Sequence, residues 1–243
     1  RVDRMAGLRE AGVHTMSLDV TDAASAQAAV AQILAEQGRI DVLVNNAGYG
    51  SYGALEDVPL SEAQAQLDVN VLGLARMTQL VLPQLRAQRS GTIINIASMG
   101  GNFTTPLGAW YHASKYAVEA LSDAMRMELA PFGIDVVVIE PGSIRTEWGA
   151  IAAAAVLETS GDGPYRTQAE QVATSLGRTS APGARMTSSP EVVARAIVTA
   201  ATARRPRARY RIGFGAKPLV LAHRILPARV FDRLIRRGMG VAG

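Results

Sequence analysis

The chain has no cysteine among its 243 residues, which excludes disulfides and thiolate metal sites and fits a reducing compartment. Histidine is scarce too: His14, His112 and His223 are scattered, so no metal site is expected. No apolar run approaches the roughly 20 residues that cross a bilayer, and no signal peptide is visible. The rarest charged residue is lysine, with two copies against 23 arginines. What remains is 48% hydrophobic, enough for one well-packed domain and too short for two full ones. A cytoplasmic protein with a single domain over residues 1–243 is expected.

One of the two lysines, Lys115, falls a single helical turn after Tyr111. Positions i and i+4 share a helix face, and an ammonium beside a phenol lowers the phenol's pKa from its usual value of about 10. A phenol tuned in this way exchanges a proton with an alcohol or carbonyl near neutral pH. Arginine substitutes poorly for such a compact charge. Taken alone, the pair also fits a half-buried tyrosine and a surface lysine on one helix.

Three apolar runs end in small, polar or turn-forming residues: 40–48, 91–98 and 134–146. They read as buried parallel strands whose carboxyl ends open into a site. The expected strands are 13–18, 40–44, 92–96, 134–139 and 210–214. Helices are expected over 2–11 (stopped by Gly12), from a cap at Thr21 or Asp22 to residue 37, over 61–86 and 109–130, and from Ser189-Pro190-Glu191 onward. Residues 143–188 read as a polar, Gly- and Ala-rich stretch. Strands alternating with helices predict an α/β fold with a parallel sheet covered on both faces.

Asn45-Asn46-Ala47-Gly48, Asn70, Ser98, Tyr111, Lys115 and Pro141-Gly142-x-Ile144-x-Thr146 occur in an order and spacing that resembles the short-chain dehydrogenase/reductase family. The likeness is to its short single-domain branch and covers about residues 13 to 146. Around Tyr111 it is similar to the group of hydroxysteroid and retinol dehydrogenases. The resemblance implies a Rossmann-type doubly wound parallel sheet. It also implies an NAD(P)-dependent oxidoreductase acting between an apolar secondary alcohol and its ketone.

On that resemblance Tyr111 is the acid/base, and Lys115 lowers its pKa and binds the nicotinamide ribose. Ser98 donates to the same substrate oxygen, and Asn70 holds a water linking Lys115 to solvent. Asn45, Ala47 and Gly48 line the adenosine side, and Asp19-Val20 meets the adenine, although Asp19 is equally a helix-entry residue. Pro141, Gly142, Ile144 and Thr146 meet the carboxamide and phosphates. Arg1, with Arg4 a turn later, favours NADP(H) over NAD(H). Phe103, Trp110 and Trp148, with Ser98, are expected to wall an apolar substrate pocket under a lid at 143–188; Arg145 or Arg185 could instead bind a carboxylate or phosphate. A homodimer or homotetramer pairing through helices 61–86 and 109–130 is expected.

The family's opening strand and Gly-rich phosphate turn have no counterpart before residue 13. The chain is therefore expected to lack its first strand-turn-helix, as a fragment of a longer protein or as an inactive truncated member. A non-catalytic, cofactor-sensing relative is the other alternative, but it would be expected to lose Ser98, Tyr111 or Lys115. Charge is uneven: residues 201–243 hold 11 Arg/Lys against one Asp, while the rest of the chain is net acidic. This basic tail at 204–243 mixes arginine with Leu, Ile and Val at helical spacing. It could meet an anionic membrane or nucleic acid; packing on its own domain or a partner subunit is favoured, and no nucleic acid is expected.

Overall fold

The computed structural model describes residues 5–181 and 183–241. Four strands, β1 (Val42–Asn45), β2 (Gly91–Ile96), β3 (Ile134–Pro141) and β4 (Arg209–Ile212), form one parallel sheet in the order β1-β2-β3-β4. In chain order the helices are α1 (Ala6–Glu10), α2 (Ala23–Gln37), α3 (Leu60–Leu67), α4 (Leu74–Gln88), α5 (Ala109–Leu129), α6 (Trp148–Ser160), α7 (Arg166–Ser180), α8 (Glu191–Thr202), α9 (Ala216–Ile225) and α10 (Ala228–Gly238). The fold is α/β and Rossmann-like, as expected.

Strand alternation explains the layers. Ile93 and Val136 are register partners and face α2 and α4, packing with Val30, Val81 and Leu85. Their neighbours Ile94 and Val137 face the other way, onto Ala196 and Ala200 of α8. Both faces are buried, so β2 and β3 read as continuous apolar runs rather than alternating ones. Val118 of α5 packs on Val138, which lays the helix that carries Tyr111 and Lys115 directly against β3.

Several expectations change in the structure. Residues 13–18 form no strand, because a strand needs a hydrogen-bonded neighbour and none among the described residues pairs with this run. Val13 and Leu18 are accordingly exposed. Helix 2–11 is described only as Ala6–Glu10. The helix expected over 61–86 runs from Leu60 to Gln88 but widens into a π-helical segment at Asp68–Gly73, which holds Asn70. Such segments recur at functional sites. Residues 143–188 contain a helical hairpin, α6 and α7. The basic tail splits at Leu226-Pro227 into two helices whose inner residues Val220, Phe231 and Ile235 pack on Phe103. Arg1 and Arg4, from which NADP preference was read, lie outside the described residues.

Candidate active site

The carboxyl ends of β1, β2 and β3 carry the motif residues. Asn45 and Asn95 are register partners. The Asn45 amide donates to Asn95 Oδ1 (2.9 Å) and to Thr78 Oγ1 (3.1 Å), and Asn95 donates to Ser122 Oγ (2.9 Å). Both Asn45 amide hydrogens are thus consumed inside the sheet–helix junction, so Asn45 positions the turn that follows. Ala47 and Gly48 stand exposed just beyond it.

Asn70 is buried and fully engaged. It accepts from the Tyr49 N–H (3.0 Å) and donates to the Tyr49 carbonyl (2.9 Å) and Ser114 Oγ (3.0 Å). Its amide therefore ties the β1 turn to α5, with both side-chain N–H groups committed to protein. A Cβ at Gly48 would stand 3.0 Å from Asn70 Oδ1 and 3.6 Å from Lys115 Nζ, so glycine keeps open the space where these groups converge.

Tyr111 and Lys115 lie on the inner face of α5. Ser98 follows β2, and its hydroxyl lies close enough to the Tyr111 phenol to act on its pKa. Ser98 Oγ also accepts from the Gly100 N–H (3.0 Å). Lys115 donates to the Ile96 carbonyl (2.9 Å). Burial pushes the Lys115 pKa down to about 8, with Glu119 opposing the shift. Burial raises the Tyr111 pKa, and the hydroxyl of Ser98 offsets part of that rise. The expected lowering of the phenol by Lys115 is thus not what this structure shows: desolvation dominates, and the ammonium is held on a backbone carbonyl.

Two further residues, His112 and Tyr52, pack against Tyr111. His112 is buried beside Tyr111, with ring centroids 5.4 Å apart. The Thr105 N–H donates to its Nε2 (3.0 Å), so Nδ1 carries the proton and donates to the Gly100 carbonyl (2.9 Å). Burial lowers its pKa and keeps it neutral. His112 therefore clamps the 98–105 turn that presents Ser98. Tyr52 stacks within 5.6 Å of Tyr111 and 5.9 Å of Trp148, and burial raises its pKa.

The expected pocket wall is only partly assembled. Trp148 lies 5.1 Å from the Tyr111 ring. Phe103 is elsewhere: it packs edge-on against Phe231 at 5.4 Å, in the cluster that anchors the C-terminal helices. Seven residues beyond the end of β2, the chain has turned onto α9 and α10. Trp110 is not among the rings gathered on Tyr111. The α6–α7 hairpin reaches the same cluster through Ala152, Val156, Ala169 and Val172, joined by Val241.

A charged network continues along α5. Glu119, one turn beyond Lys115, and the fully buried Glu140 of β3 share Arg209 of β4 at 3.1 Å each. Arg209 also meets Asp123 (2.7 Å), and Arg211 pairs with Glu140. Burial and the Glu140 charge raise the Glu119 pKa to about 7, against the pull of Arg209.

Of the remaining residues, Gly142 crosses so close to β4 that a Cβ would fall 2.1 Å from the Phe214 carbonyl. Ile144 bridges Ser188, and Thr146 Oγ1 accepts from the Trp148 N–H, opening α6. Pro141 ends β3. Asp19 accepts from the Thr21 N–H (2.8 Å) and hydroxyl (2.7 Å), which lower its pKa, while Asp22 caps α2. The Val20 carbonyl accepts from Arg76.

Residues 3–155 match the family described as short chain dehydrogenase. The 3-ketodihydrosphingosine reductase of Bacteroides thetaiotaomicron is 46% identical over 134 residues, 55% of this chain and 50% of that protein, so the chain spans about half the length of this relative. The NADPH-dependent 3-dehydrocapnine reductase of Ornithobacterium rhinotracheale is 34% identical over 93% of this chain and 80% of its own length. Among solved structures, a short-chain dehydrogenase from Streptomyces avermitilis superposes with a TM-score of 0.79 at 31% identity, covering 100% of this chain and 88% of its own. With well over half its length matched to the family and its fold shared along the whole chain, the protein belongs to the short chain dehydrogenases.

Proposed function

We propose that the protein reduces a lipid-like ketone to its secondary alcohol with NADPH, Tyr111 delivering the proton. The observation that carries this reading is the Tyr111 phenol buried beside the Ser98 hydroxyl, with the buried Lys115 one helical turn away. Fit to a nicotinamide cofactor rests on Gly48, whose missing Cβ leaves space open at Lys115 Nζ and Asn70. Lys115 would bind the ribose there; Gly48, Pro141, Gly142, Ile144 and Thr146 would form the adjoining wall, with Asp19 and Val20 at the adenine end. The bound nicotinamide would supply the hydride. This chain's residues supply the proton and the geometry.

In the ketone direction the substrate oxygen lies between two hydroxyls. Ser98 donates a hydrogen bond to it and stabilises the negative charge that develops there. The Tyr111 phenol, kept protonated by burial, donates its proton to the same oxygen. Lys115, with a pKa of about 8, below that of the buried phenol, is the stronger acid of the two and can return that proton. Tyr52, Trp148 and the lid residues exclude water around this step.

The cluster around Tyr111 joins the aromatic rings of Tyr52 and Trp148 to aliphatic side chains of α6 and α7, which suits a hydrocarbon-bearing ketone. Two relatives with reductase names, one for 3-ketodihydrosphingosine and one for 3-dehydrocapnine, support a long-chain 3-ketone and, through the second, NADPH. Steady-state rates of the full-length protein with NADPH and NADH against 3-ketones of increasing chain length test the reading. Rates rising with chain length, and higher with NADPH, are expected. Equal rates for short polar ketones would overturn the substrate class, and an NADH preference the cofactor.

A further inference from the structure

We propose that the α9–α10 hairpin docks on the surface of an anionic phospholipid bilayer. Its inner side is occupied: Val220, Phe231 and Ile235 are buried on Phe103, with the His223 ring edge-on to Phe231 at 4.9 Å. Both helices are thereby fixed to the domain, and their opposite sides point away from it.

Those outer sides have a definite pattern. On α9, Lys217, Leu221 and Arg224 recur at i, i+4 and i+7; on α10, Arg233, Leu234 and Arg237 share one face. The aliphatic members are bare: Leu221 is 58% exposed, Leu234 45% and the adjacent Ile225 69%. A helix that only packs on its own domain would bury these side chains, and one that is only solvated would carry polar groups there. The one acid of the segment, Asp232, falls on another side of α10. Among the described residues no helix is long and apolar enough to cross a membrane, so the surface is suited to lying on a bilayer.

Charge and shape select the occupant. An anionic bilayer satisfies both halves of the pattern, taking aliphatic tips into the headgroup boundary and offering phosphates to the arginines. Nucleic acid would meet the cations but leave the leucines in water, and the outer stripes offer no aromatic ring for base stacking. A second copy would place like charges against each other across a two-fold axis. The hairpin also reaches the site: Met239, just after α10, packs with both the Phe103 cluster and the cluster containing Tyr111. The purpose of docking, access to a membrane-borne ketone, rests on the proposed function, whereas the binding itself does not.

The test is sedimentation of the full-length protein with phosphatidylglycerol/phosphatidylcholine vesicles and with phosphatidylcholine alone, without substrate. Binding to the anionic vesicles alone, lost at about 0.5 M NaCl, is expected. Arg233→Gln with Arg237→Gln should weaken binding about 25-fold, roughly fivefold per charge. Leu221→Ser with Leu234→Ser should weaken it at least tenfold, with circular dichroism and reduction of a short, water-soluble ketone unchanged. Absence of binding to anionic vesicles would overturn the proposal, as would full binding by the serine pair or preferential capture by duplex DNA in competition. Vesicle binding without ketone reduction by any preparation would instead refute the enzymatic reading and leave the docking surface standing.

Discussion

Glu119→Gln tests the charged network behind Lys115. The Glu119 carboxyl is nearly buried and faces Glu140 of β3 and Asp123 of its own helix, with Arg209 of β4 between them and Lys115 one turn away. Burial and Glu140 raise its pKa from 4.5 to about 7. A folded pKa above the unfolded one means that the unfolded chain loses its proton first. The stabilisation is therefore complete below pH 4.5 and is lost as pH rises to about 7. Its size is about 3 kcal/mol. The Gln variant has no such proton to lose, so its advantage over the parent should grow by about 3 kcal/mol from about pH 4.5 to about pH 8. Groups such as His112, neutral in the fold and destabilising only as pH falls, titrate in both proteins and cancel in the difference. Urea unfolding followed by circular dichroism at several pH values measures it. Parallel stability curves would refute the reasoning and show Glu119 fully ionised by Arg209.

Phe231→Ala should cost about 3–5 kcal/mol in urea unfolding, because the ring fills the space between Phe103 and His223 and its loss opens a cavity; a cost under about 1 kcal/mol would mean that the hairpin is not anchored there. His112→Phe should cost about 2 kcal/mol by leaving the Gly100 carbonyl and Thr105 N–H without their partner, and should lower kcat more than it raises KM by loosening the Ser98 turn. Unchanged kcat would limit His112 to packing.

Where local sequence and tertiary environment agree, the fold was legible. β2 and β3 are apolar because both faces are covered, and α5 shows its inner face through Tyr111, Ser114, Lys115 and Val118. α6 escaped notice because Ala150–Val156 has no apolar stripe, although alanine is the strongest helix former. Residues 13–18 have a strand's composition, but strand formation depends on a neighbour that local sequence does not encode. Within the site, Ser98, Tyr111 and Lys115 were legible as a motif. Phe103 was misplaced, since an aromatic near a catalytic turn looks alike whether it faces substrate or the C-terminal helices. His112 was invisible because its importance lies in two backbone partners, Gly100 and Thr105, that only the folded turn brings to it.

The central claim is that Tyr111 supplies the proton for ketone reduction. Tyr111→Phe keeps the ring contacts with Tyr52 and Trp148 and removes only the phenolic hydroxyl beside Ser98. The deciding measurement is single-turnover oxidation of NADPH by the full-length variant with saturating ketone, with NADPH affinity read in parallel by fluorescence. The account predicts a rate lower by about 10²–10⁴-fold at unchanged affinity; a rate within a few-fold of the parent's would contradict it.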